Sequence, residues 1–141
     1  MIDDRVRELV RMQLIRDEGV KKHPYTDTVG KLTIGVGRNL SDNGLSDEEV
    51  MMLLGNDIDE AARVAVRIYG VEFDSFTANR QAAIINMIFN LGESNYREFK
   101  KMIAAIKRGD WNGAANEASH SLWYSQVGLR AIRLVEMLRN G

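Results

Sequence analysis

Only one proline, Pro24, stands in 141 residues. Proline stops a helix outright because it lacks the backbone N–H and its ring collides with the preceding turn. A chain that uses it once, carries few aromatics and is 45% hydrophobic is therefore expected to be mostly helix, with a break forced at residue 24. The length suits one domain, or two small lobes that share a core. Cysteine is absent, which excludes a disulfide framework and a thiolate metal site. Two isolated histidines, His23 and His120, do not make a zinc hydrolase, so neither metal nor cofactor is expected. A net charge of −1 argues against a nucleic-acid partner.

Before the proline, Ile2, Val6, Leu9, Val10 and Leu14 recur at helical spacing, and Gly19 supplies a stop; a helix over about 3–18 is predicted. Glu18 closes it. The negative end of the helix dipole lies there and disfavours a second negative charge, which suits a proton donor. Past Pro24 the strand formers Tyr25, Thr26, Leu32, Thr33, Ile34 and Val36 flank a turn at 28–31, the pattern of a small β-hairpin. Asp27 falls at the turn end of the first strand and Thr33 on the return strand, so both can face one cleft with Glu18 across it. A lone helix acid is usually solvated surface; the added carboxylate and hydroxyl on a rigid hairpin raise the functional reading.

Residues 38–44 are polar and turn-rich, a loop. Ser46 with Glu49 three residues on is a capping box, and a helix follows from 47 to 69, ended by Gly70. Its expected inner face is Val50, Leu53 or Leu54, Ile58, Ala61 or Ala62, Ala65 and Ile68. Such length exceeds what a small lobe needs, so it is expected to be a strut. Thr77 caps a second helix through Leu91, which from Ala82 on is apolar nearly all round apart from Asn86 and Asn90, and so belongs at the centre of a helical lobe. Shorter helices are expected at 97–107, 111–119 and 129–138, with a turn at 122–126. The predicted class is mainly α (α+β): a hairpin lobe over about 16–46, a connecting helix over 47–69, and a helical lobe over 71–141 with the N-terminal helix packed on it. Gly35-Val36-Gly37 lacks the third glycine of a phosphate loop and instead suggests backbone lying close to a polymer substrate.

The run Asp17-Glu18-Gly19, with Tyr25 and Asp27 following and then Thr33-Ile34-Gly35-Val36-Gly37, resembles the active-site signature of the T-even-type phage lysozymes, the endolysins. Residues Ala82 to Glu93 and Trp123-Tyr124-Ser125-Gln126 with Arg130-Ala131 resemble the same family in the same order. The resemblance spans nearly the whole chain. It implies a two-lobe lysozyme-like fold that hydrolyses the β-1,4 bond between N-acetylmuramic acid and N-acetylglucosamine in peptidoglycan, with inversion. Glu18 would be the general acid, Asp27 and Thr33 would hold the water, and Asn39, Phe89 and Arg130 would meet substrate. Alternatives are a lytic transglycosylase, or a lysozyme-like wall-binding protein without turnover.

The resemblance also implies a monomer that waits in the host cytoplasm and is released by a holin. No secretory signal is read at the N-terminus, and no run approaches the eighteen apolar residues of a membrane span, so no stable membrane insertion is expected. The chain departs from the family pattern at Arg38, where a histidine is common, and at Asn39, Met102 and Glu117. Arg38 is expected to pair with Asp57 and tie the hairpin exit to the long helix. Trp123 is expected in the core.

Overall fold

The computed structural model describes all residues, Met1–Gly141. It is mainly helical with one small sheet, and it divides into two compact units, Met1–Met51 and Met52–Gly141.

In the first unit, α1 runs Asp4–Glu18, capped by Asp3, whose Oδ1 accepts the Val6 N–H at 3.0 Å. Gly19 ends it at φ 74° and donates to the Ile15 carbonyl at 2.9 Å. α1 buries none of its side chains. The expected hairpin is present as β1 (Lys21–Thr26) and β2 (Leu32–Gly35), and a third strand, β3 (Arg38–Asn39), extends it in the order β1-β2-β3. Lys21 faces Gly35 and Tyr25 faces Thr33, so Lys22, His23 and Pro24 stand opposite Ile34 alone. The irregularity falls where Pro24 has no N–H to give the ladder, on an edge strand that tolerates it. The polar run after β3 is not a plain loop. Asn39 caps a single turn, α2 (Leu40–Asn43), by accepting the Asp42 N–H at 3.0 Å. Ser41 Oγ accepts the Leu32 N–H at 2.8 Å and Lys31 Nζ meets Asp42 at 3.0 Å, so α2 is held to the sheet by side chains that sequence reading left to solvent.

α3 runs Asp47–Tyr69, as its signals predict. Ser46 Oγ accepts the Glu49 N–H at 3.1 Å, and Glu49 Oε1 accepts the Ser46 N–H at 2.8 Å, a complete capping box. The expected inner face needs correction. Ala61, Ala65 and Ile68 are buried as expected, joined by Val64 and Tyr69, whereas Val50, Leu53, Leu54 and Ile58 are exposed. Helical periodicity fixes which residues share a side; it does not say where along the helix a covering layer begins.

The second unit continues with a 3-10 turn over Gly70–Ser75, then α4 (Ala78–Leu91), α5 (Glu93–Arg97), α6 (Lys100–Lys107), α7 (Trp111–Ser119), α8 (Leu122–Val127) and α9 (Leu129–Asn140). Thr77 caps α4 by accepting the Arg80 N–H at 3.2 Å, and Gly92 ends it. The helix expected over 97–107 begins at Lys100, and α5 before it was not expected; between them Glu98 and Phe99 turn back to donate to the Asn95 and Tyr96 carbonyls. Ala83, Ile84, Met87 and Ile88 of α4 are buried; α4 packs on α9, α9 on α7 and α7 on α6. Trp123 is core, as expected, with its N–H donated to Asn90 Oδ1 at 2.9 Å. The Tyr69 and Tyr96 hydroxyls share a hydrogen bond of 2.5 Å, and burial pushes both phenols above their ordinary range. Arg80 lies 4.4 Å over the Trp111 ring and donates to the carbonyls of Leu138 and Arg139, locking the end of α9 to α4.

Candidate active site

Glu18, Asp27 and Thr33 all lie in the first unit, and each is placed by a different local device. Glu18 is the last residue of α1, fixed in sequence by the Gly19 stop. Asp27 follows β1 directly and braces its own turn. Its Oδ1 accepts the N–H groups of Val29 at 3.0 Å and Lys31 at 2.8 Å, while its N–H donates to the Lys31 carbonyl at 2.9 Å. This is an Asx turn, in which one carboxylate oxygen is committed to backbone and Oδ2 is left for chemistry. Thr33 is the one buried polar side chain, 4% exposed, on the central strand β2 between Tyr25 and Asn39. Its hydroxyl donates to the Lys31 carbonyl at 3.0 Å.

The Lys31 backbone thus holds both groups, Asp27 through its N–H and Thr33 through its carbonyl. With the Thr33 proton spent on that carbonyl, its oxygen is offered as an acceptor only. Two acceptors, Thr33 Oγ1 and Asp27 Oδ2, are what a water molecule needs if its protons are to be held and a lone pair aimed elsewhere. Sequence reading missed Lys31 because its role is carried by the backbone, which leaves no side-chain signature.

Glu18 meets the sheet at Gly37. A Cβ built there would stand 3.1 Å from Glu18 Oε2 and 3.2 Å from its Cδ, and the backbone at φ 70° is one that side chains rarely adopt. Gly37 therefore lies close to the acid itself, where the glycines were expected to approach a polymer. Arg38, next in the chain, takes Glu49 as its partner and not Asp57. Nη2 stands 2.6 Å from Oε2, Nη1 donates to Oε1 at 2.8 Å, and Nη1 also donates to the Gly44 carbonyl at 3.2 Å. The guanidinium and the Ser46 N–H hold the Glu49 carboxyl down at about 2. Asn39 spends amide groups at both ends on Asp42, accepting its N–H and donating to its carboxylate at 3.0 Å, yet keeps one N–H and one lone pair.

Phe89 and Arg130 lie in the second unit, together in a groove of about 450 Å³ lined also by Leu54, Ile58, Ala82, Ile85 and Asn86. Phe89 is 48% exposed, an apolar face offered to whatever enters. Arg130 is held by Asn86, whose Oδ1 accepts from Nε at 2.9 Å and Nη2 at 2.7 Å. Sequence reading singled out Asn86 only as a polar exception in an apolar helix; that exception was the available signal. No cluster of histidine, cysteine or carboxylate able to hold a metal is present.

An acid at a helix end and a second carboxylate on a hairpin of the same unit are the two residue types that a glycosidase-type hydrolase uses. Residues 16–136 match the phage lysozyme family, and the chain belongs to that family. It is 28% identical to probable T4-type lysozyme 2 of Dictyostelium discoideum, over 89% of this chain and 90% of that protein. It is also 28% identical to the pre-baseplate central spike protein Gp5 of Enterobacteria phage T4, over 99% of this chain but 29% of that protein, and to a SAR-endolysin of Escherichia phage Mu over 93% and 78%.

Proposed function

We propose that this chain hydrolyses the β-1,4 bond between N-acetylmuramic acid and N-acetylglucosamine in bacterial peptidoglycan, with inversion at the anomeric carbon, and that it serves host cell lysis. The observation that carries this reading is the Asp27–Lys31–Thr33 arrangement, in which the backbone N–H and carbonyl of one residue fix a carboxylate and an acceptor-only hydroxyl. A water donating to Thr33 Oγ1 and Asp27 Oδ2 presents its remaining lone pair to the sugar. As the glycosidic bond breaks, Glu18 gives its proton to the leaving oxygen. Asp27 takes a proton from the water that attacks the opposite face. Asn39, Phe89 and Arg130 contact the glycan: Phe89 as apolar surface, Asn39 through its unspent amide groups, and Arg130 as a cation immobilised by Asn86.

Peptidoglycan as substrate is supported by the lysozyme and endolysin relatives. No helix is long and apolar enough to cross a membrane. In this reading the protein is a monomer that accumulates in the host cytoplasm and reaches the wall after a holin opens the inner membrane. Proton NMR of a short wall glycan during turnover tests the stereochemistry: the first reducing ends should be α anomers, and β anomers appearing first would overturn inversion.

A further inference from the structure

We infer that Arg38 and Glu49 are positioning residues for the acid: their ion pair clamps the β2–β3 turn so that the Gly37 backbone is held against the Glu18 carboxyl group. The inference rests on the proposed role of Glu18. Between β2 and β3 the chain turns through Val36 and Gly37, and Gly37 comes so near Glu18 that a methyl group could not be added without crowding it. Two pairs in the ladder, Thr33 with Asn39 and Ile34 with Arg38, are all that hold β3 to the sheet. Such a short edge strand frays readily.

The fork of Arg38 supplies the missing restraint. It grips both oxygens of Glu49 and the Gly44 carbonyl, so residue 38 is tied to the α3 N-terminus and to the end of α2 at once. Glu49 is itself immobilised, since its Oε1 also accepts the Ser46 N–H and its own N–H is bound by Ser46 Oγ. A planar fork on a fixed carboxylate transmits position better than a single flexible contact. The residue one bond from Gly37 is thus anchored to a helix end, and the turn stays seated on the acid.

The test compares Glu49→Gln, Arg38→Ala and Arg38→Lys with wild type in the full chain. Glutamine keeps the capping box but not the charge, and lysine keeps the charge but not the fork. Glu60→Gln, which removes the more exposed pairing of Glu60 with Arg63 and Arg67 on α3, is the control. With folding checked by circular dichroism, Glu49→Gln and Arg38→Ala should lose about tenfold in kcat with KM little changed, within the roughly 10²-fold that a 1 Å misplacement can cost. Arg38→Lys should recover part of that loss, and Glu60→Gln should lose nothing. In NMR spectra of the same proteins, Glu49→Gln should move the Gly37 amide and the Glu18 side-chain carboxyl resonance, whereas a role confined to capping α3 would move neither. Unchanged kcat in folded Glu49→Gln, or unmoved Gly37 and Glu18 resonances, overturns the inference. If wild type itself shows no turnover, the hydrolase reading fails, and the resonances alone still decide the clamp.

Discussion

Glu18, Asp27 and Glu49 are three carboxylates with three different proposed tasks, and substitution should separate them. Replacing Glu18 with Gln leaves no proton for the leaving oxygen and should lower the rate by about 10² or more, without loss of fold; steady-state turnover of purified, folded protein checks it. Asp27 has a structural oxygen and a free one. Asp27→Asn can still accept the Val29 and Lys31 N–H groups through its carbonyl, so it should keep near-native stability while losing activity. Asp27→Ala should lose about 0.5–1.5 kcal/mol per hydrogen bond besides, read by denaturant titration. Glu49 is the one whose ionisation supports the fold. It stays unprotonated in the folded protein down to about pH 2, whereas in the unfolded chain it takes a proton near its ordinary 4.5. Its contribution is therefore fully present above about pH 4.5 and lost as the pH falls to about 2. The Tm of wild type should exceed that of Glu49→Gln at neutral pH, and the gap should close over that window.

At the level of elements, the long helices were legible because their ends carry chemistry. Ser46 with Glu49, Thr77, Gly70 and Gly92 each satisfy or terminate backbone groups locally, and the structure uses them so. α2 and β3 were not legible, since each is too short to show a period and exists through bonds to something else: Ser41 to the Leu32 N–H, Asn39 to Asp42. The break between α5 and α6 has no glycine or proline to announce it and is closed by backbone bonds of Glu98 and Phe99 alone. Of the site, Glu18, Asp27 and Thr33 were legible as side chains of the right type at suggestive places. The Lys31 peptide and the closeness of Gly37 to Glu18 were not, because they are facts of backbone position. Two element-scale outcomes follow. Thr77→Ala should cost about 1 kcal/mol through the lost α4 cap, and Met87→Ala about 2–5 kcal/mol through the cavity left in the core of that helix; both are measured by equilibrium unfolding.

For the whole molecule, the division of labour is plain in the two units. The first holds the groups proposed to move protons, Glu18 at the end of α1 and Asp27 in a hairpin turn braced by its own side chain. The second holds a densely packed helical core and a groove with one immobilised cation. The buried core cluster lies in it, and both tryptophans, Trp111 and Trp123, pack against its aromatic rings. The central claim is that water, positioned by Asp27 and Thr33, completes a cleavage begun by the Glu18 proton. Mass spectrometry of muropeptides released from purified peptidoglycan tests it most directly. Wild type should release glycans ending in hydrated, reducing N-acetylmuramic acid, and Glu18→Gln should release almost none; anhydro-muramic ends, or equal release by Glu18→Gln, would contradict it.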